Sequence, residues 1–137
     1  MDVHYGHTSY LESLIAASTV EEADYAPQPT VDSISLVYNG IIIGYILYTL
    51  GEPIYIDYIA VHPDYRGCSL CRELLSLLID LYPDANAFYL ENAAGLVGCM
   101  CYINTFYDNG FYLNNFRDAK PDCNDSIVDM MFLRDFT

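Results

Sequence analysis

The chain has 137 residues, enough for one domain with a sizeable core and too few for two ordinary ones. Its apolar fraction of 53%, with 14 Tyr and 6 Phe, excludes an intrinsically disordered chain. Five Lys and Arg against 19 Asp and Glu leave a net charge of -14, which excludes sequence-independent nucleic-acid binding and favours cationic partners or simple solubility.

Taken in chain order, MDVHYGHTSYLES has no basic leader before an apolar run, so no secretory signal is expected. Leu11, Leu14, Ile15 and Ser18 stand at helical spacing behind a Thr8 cap and predict a helix over 8–18. The acidic, proline-bearing EEADYAPQPT, 21–30, then predicts a surface loop. Two β-branched, aromatic-rich runs, 33–38 and 41–50, flank Asn39-Gly40, the strongest short-range hairpin signal. A third run, 54–62, stops at Pro63 and predicts a further antiparallel strand. The run 41–50 is also the longest apolar stretch and is too short to span a bilayer, so a soluble, cytoplasmic protein without membrane attachment is expected.

Leu70, Leu74, Leu77, Leu78 and Leu81 share one face of a helix predicted over 69–82 and stopped by Pro83. AFYLE, 87–91, reads as a buried strand parallel to the preceding one, because strand, crossover helix and strand form a right-handed unit. A helix over 96–107, closed by Asp108-Asn109-Gly110, and a last strand over 127–136 complete the order. The fold class expected is α+β, one domain over 1–137, with a mixed, mainly antiparallel central sheet flanked by helices.

One junction carries chemistry. A strand that turns directly into a helix exposes the first N–H groups of that helix, and with the helix dipole they attract anions. Residues 66–71 occupy such a junction, and Arg66 and Arg72 stand beside it although residues 1–65 contain no Lys or Arg. The guest expected there is a phosphate or pyrophosphate.

In VHPDYRGCSLCRELL, 61–75, Val61, Pro63, Tyr65, Arg66 and Gly67 match the V-x-P and R-G-x-G-x-G/A signature of the GNAT superfamily of acetyl-CoA-dependent N-acetyltransferases, which the chain resembles. Ser69 and Cys71 depart from it, standing where the family has Gly and then Gly or Ala. FYDNGF, 106–111, is similar to the family's ending of its last helix, and the element order agrees as well. The resemblance implies acetyl-CoA as co-substrate, held by Arg66, Gly67, Cys68, Ser69, Leu70, Cys71 and Arg72 at the pyrophosphate. It also implies backbone contacts from Ile59, Ala60 and Val61 along a splayed strand.

Acetyl transfer to an amine requires a base, an oxyanion donor and an acid for the leaving thiolate. Asp57, four residues before Val61, stands where family members carry a base; the alternative is an acid on the open face of the sheet. Glu52, Asp64 and Glu91 are weaker candidates. The family's acid, counted back from Gly110-Phe111, falls on Phe106, which cannot donate a proton. Tyr107, one residue later, is therefore favoured, with Tyr102 one turn earlier in reserve and mere packing as the alternative.

The five cysteines are expected to be core or loop thiols without a disulfide framework. Zinc at Cys68, Cys71, Cys99 and Cys101 lacks the spacing of a ribbon or finger, a redox pair at a helix N-terminus that stabilises thiolates is a somewhat better alternative, and His4, His7 and His62 suggest no metal. His4 and His7 read as solvated polar sequence near the terminus, and His62 as part of the VHP turn. Two functions follow. One is acetylation of a primary amine on a cationic acceptor, a polyamine or a lysine of a basic protein. The other is a degenerate GNAT-fold module that binds a basic protein. The oligomeric state stays open, a homodimer included.

Overall fold

The computed structural model describes residues 1–6, 32–67, 69–92, 95–123 and 127–136. The helix expected over 8–18, the loop over 21–30, His7 and Cys68 lie outside those residues. Within them, β1 (Asp2–Tyr5), β2 (Asp32–Tyr38), β3 (Ile41–Thr49) and β4 (Ile54–Val61) lead through a short 3-10 turn at Pro63–Tyr65 into helix α1 (Leu70–Leu81). Then follow β5 (Ala87–Glu91), helix α2 (Gly95–Asp108), β6 (Phe111–Leu113) and β7 (Asp129–Arg134). All seven strands form one sheet in the order β1-β2-β3-β4-β5-β7-β6, in which only β4 and β5 run parallel.

Local chemistry accounts for most of these elements. Asn39 and Gly40 both take positive φ, 53° and 77°, as a two-residue hairpin turn with the right twist requires. Leu70, Leu74, Leu75, Leu78 and Ile79 put a continuous apolar stripe of α1 onto the sheet. There they meet Ile34, Leu36, Ile46 and Phe88, all fully buried. Phe106 of α2 closes the same core, stacking on Phe132 at 4.2 Å between ring centroids. Strand alternation directs Val37, Ile42, Tyr45, Leu47 and Ala60 into a second, smaller cluster on the other face of the sheet.

Three expectations need correction. His4 lies on β1, paired with Ser35, and not in a solvated tail, because β2 offers a free edge that a short strand can satisfy. β6 was not anticipated; its three residues continue the turn after α2 and pair with β7. Cys99 and Cys123 form a disulfide with a Cα separation of 5.6 Å, which brings Cys123 against α2, a proximity that 24 residues of separation did not disclose. Among the described residues no helix is long and apolar enough to cross a membrane.

Candidate active site

β4 and β5 pair only at Ile54↔Phe88, Tyr55↔Tyr89 and Ile56↔Leu90, although β4 continues to Val61. Beyond Ile56 the two strands part. On its other side β4 carries a bulge: Leu47 faces Tyr58 and Tyr48 faces Ile56, which leaves Asp57 as the extra residue. A bulge bends its strand and re-aims the side chain at the bend. The result is a cleft of about 1030 Å³ between β4, the turn into α1 and one side of α2.

The turn forms one wall. His62 Nδ1 accepts the Asp64 N–H at 3.2 Å and caps the 3-10 turn, while Arg66 Nε donates to the Val61 carbonyl at 3.2 Å. Gly67 and Ser69 both have positive φ, 86° and 63°. A side chain at Gly67 would meet no atom within 4 Å, and Gly67 itself lines the cleft. Helix α1 is seated close to the sheet because Gly44 on β3 has no side chain: a Cβ there would stand 3.3 Å from Leu74 Cδ1. Arg72 also lines the cleft, but its Nη2 lies 2.7 Å from Asp108 Oδ2 at the end of α2. Its charge is thus shared with an exposed carboxylate.

Of the residues the sequence singled out, Asp57, Ile59, Ala60, Val61, Arg66, Gly67, Ser69, Leu70, Cys71, Arg72 and Tyr102 all line this one cleft. Thr49 Oγ1 donates to Asp57 Oδ2 at 2.8 Å. Burial raises the Asp57 carboxyl above the ordinary aspartate value, and the Thr49 bond opposes part of that rise. Tyr102 is buried on the cleft side of α2, and burial, reinforced by Cys71 and Cys101 nearby, raises its hydroxyl well above the usual range. It stays protonated.

Tyr107 does not reach the cleft. Its hydroxyl donates to the Phe116 carbonyl at 2.7 Å and accepts the Leu113 N–H at 3.2 Å, tying α2 to the segment around β6. One helix step of about 100° separates it from Phe106, which is fully buried, whereas Tyr102 precedes Phe106 by a full turn and shares its side. Glu91 lines the cleft; Glu52 and Asp64 do not.

Two features escaped sequence reasoning. The Tyr55 and Tyr89 rings stack at 5.5 Å beside the cleft, and Tyr89 donates to Asp129 at 2.9 Å. The predicted parallel pairing of the two strands was a signal for the first. In addition, the thiols of Cys71 and Cys101 are in hydrogen-bond contact across α1 and α2. Among the described residues no group of three or more metal-binding side chains occurs.

The Acetyltransferase (GNAT) family model matches residues 5–109. Among solved structures, the chain is similar to the ribosomal-protein-S18-alanine N-acetyltransferase from Escherichia coli, with a TM-score of 0.62 at 18% identity, covering 96% of this chain and 92% of that one. It is also similar to the PaiA N-acetyltransferase from Thermoplasma acidophilum, solved with coenzyme A, with a TM-score of 0.62 at 13% identity over 98% and 100%. A third is the IAA acetyltransferase from Bacillus cereus, with a TM-score of 0.57 at 13% identity over 96% and 97%. At these identities the likeness is one of fold. No curated protein matches the sequence significantly.

Proposed function

The chain belongs to the GNAT family of acetyltransferases, and from that premise we propose that it transfers an acetyl group from acetyl-CoA to a primary amine of a cationic acceptor, a polyamine or a lysine of a basic protein. The observation that carries this reading is the parting of β4 from β5, which puts Asp57 and Tyr102 on the same cleft as the turn 66–72. The residues present suit the cofactor. The first-turn N–H groups of α1 and the Arg66 side chain supply positive potential for a pyrophosphate, and Gly67 leaves room for one. Ile59 to Val61, on β4 beyond its pairing with β5, offer backbone groups to an extended arm. Bound acetyl-CoA supplies the activated acyl group.

The chain's own groups then have separate tasks. An aliphatic amine near its ordinary pKa of about 10.4 is mostly protonated at neutral pH and must lose a proton before it can attack. Asp57, with its carboxyl raised by burial and steadied by Thr49, takes that proton directly or through water. Tyr102, held protonated, can return one to the leaving thiolate. Acidic and aromatic groups support a cationic acceptor: Asp57, Glu91, Tyr55 and Tyr58 line the cleft, and Glu91 pairs across strands with Asp129, two like charges that a bound cation would relieve.

Thermal unfolding in the presence of acetyl-CoA tests the reading. At a ligand concentration about 100 times Kd the native state gains about 2.7 kcal/mol, a shift of several degrees. Arg66→Ala should weaken calorimetric affinity about tenfold. If millimolar acetyl-CoA leaves the melting temperature unchanged, the cofactor assignment fails.

A further inference from the structure

Two thiols that acetyl transfer does not use face each other inside the cleft. Cys71 lies in the first turn of α1 and Cys101 in the middle of α2; both are free, both are half-buried and both line the cleft wall. Their sulfurs are in hydrogen-bond contact. We propose that Cys71 and Cys101 form a dithiol that hydroperoxides oxidise to a disulfide, a modification site built into the wall of the cofactor cleft.

The surroundings divide the roles between the two sulfurs. Cys101 receives the Cys71 thiol proton as a hydrogen bond, receives another from Thr105 and lies near the Arg72 guanidinium, all of which favour its thiolate against the opposing effect of burial. Cys71 keeps its proton, because donating to Cys101 and burial both raise it. Cys101 is therefore the attacking sulfur. Its thiolate displaces hydroxide from the peroxide oxygen, breaking the O–O bond and forming a sulfenic acid. Cys71 then attacks the sulfenyl sulfur, the S–S bond forms, and the departing hydroxide leaves as water with the Cys71 proton. In sum two thiols and one hydrogen peroxide give one disulfide and two waters. The Cys99–Cys123 disulfide is separate from this pair, and the Cys99 side chain is fully buried.

The full chain is treated with hydrogen peroxide at about one equivalent, quenched with N-ethylmaleimide and mapped by mass spectrometry under non-reducing conditions. The expected product is a Cys71–Cys101 cross-linked peptide, two hydrogens lighter than the sum of its parts and restored by dithiothreitol. Maleimide labelling should fall at least about tenfold at both residues together, as a shared product requires. In C101S, Cys71 keeps its labelling at the same dose; in C71S, Cys101 accumulates as a sulfenic acid that dimedone captures. The proposal is overturned if no link forms at any dose, if either cysteine links to a different partner, or if C101S leaves the oxidation of Cys71 unslowed.

Discussion

Asp57 experiences two opposed influences, burial that favours its neutral form and the Thr49 hydroxyl that favours the charged one, and burial wins. A carboxyl raised in the folded state contributes stability below its unfolded pKa and loses it as the pH rises through the folded value. Asp57→Asn keeps an oxygen for Thr49 and removes the charge, so the variant should melt higher than the parent at neutral pH, with the difference closing in acid. As a base, Asp57 works only when ionised, so activity should fall with decreasing pH through a value above the ordinary aspartate range. Asp57→Asn should lower turnover about 100-fold and remove that acid limb. Tyr102→Phe should cost turnover about tenfold or more with acetyl-CoA affinity unchanged, whereas Tyr107→Phe should leave turnover intact and cost about 1 kcal/mol of stability from its lost hydrogen bonds. The reverse result for the two tyrosines would restore Tyr107 to the acid role. Counting along FYDNGF led to Tyr107 because spacing gives the position but not the face; the side of α2 is set by Phe106, which the aromatic core around Phe132 and Phe88 pulls inward.

At the scale of elements, legibility followed how local the cause was. The β2–β3 hairpin was readable because Asn39-Gly40 carries its own turn chemistry, and α1 because its leucines repeat on one face. β1 and β6, of four and three residues, owe their pairing to neighbours distant in sequence and left no pattern to read. The parting of β4 from β5 was implied by the family resemblance as a splayed strand but not by local chemistry: β5 ends at Glu91 and β4 bulges at Asp57, and neither event has a turn residue to announce it. The departure at Ser69 was legible as a mismatch, and its consequence is conformational. Ser69 begins α1 in the left-handed region, with no hydrogen bond from its side chain to the helix. That geometry costs an L-residue roughly 1–2 kcal/mol, partly offset by the greater unfolded-state freedom of glycine. Ser69→Gly should therefore stabilise the chain by about 0.5–1 kcal/mol, read as a higher urea midpoint at unchanged slope. A lower midpoint would show that the serine side chain contributes more than its backbone costs.

For the whole molecule the dominant fact is charge. With -14 spread over 137 residues, the field outside the cleft attracts cations and repels the phosphates of the proposed cofactor. The local concession is the turn into α1, where Arg66 and Arg72 stand among the five basic residues of the chain. Arg72 is paired with Asp108, Arg117 with Asp135, and Arg134 with the Pro83 and Ala85 carbonyls, so the positive side chains are drawn into local contacts and do little to offset the overall field. Composition made this much readable; the Cys99–Cys123 disulfide and the Cys71–Cys101 contact were not, because each joins segments whose approach depends on the finished fold. The field gives the two substrates opposite salt responses. Raising the ionic strength from about 0.1 M to about 1 M shortens the screening length from about 10 Å to about 3 Å. KM for a polyamine acceptor should then rise several-fold, since long-range attraction to the acidic surface is lost. KM for acetyl-CoA should stay level or fall, because screening removes the general repulsion along with the local attraction at Arg66. A neutral amine, run under the same conditions, separates this from any general effect of salt on turnover. If the polyamine and the neutral amine respond alike, the acidic surface plays no part in drawing in the acceptor, and the cationic choice would rest on Asp57 and Glu91 within the cleft.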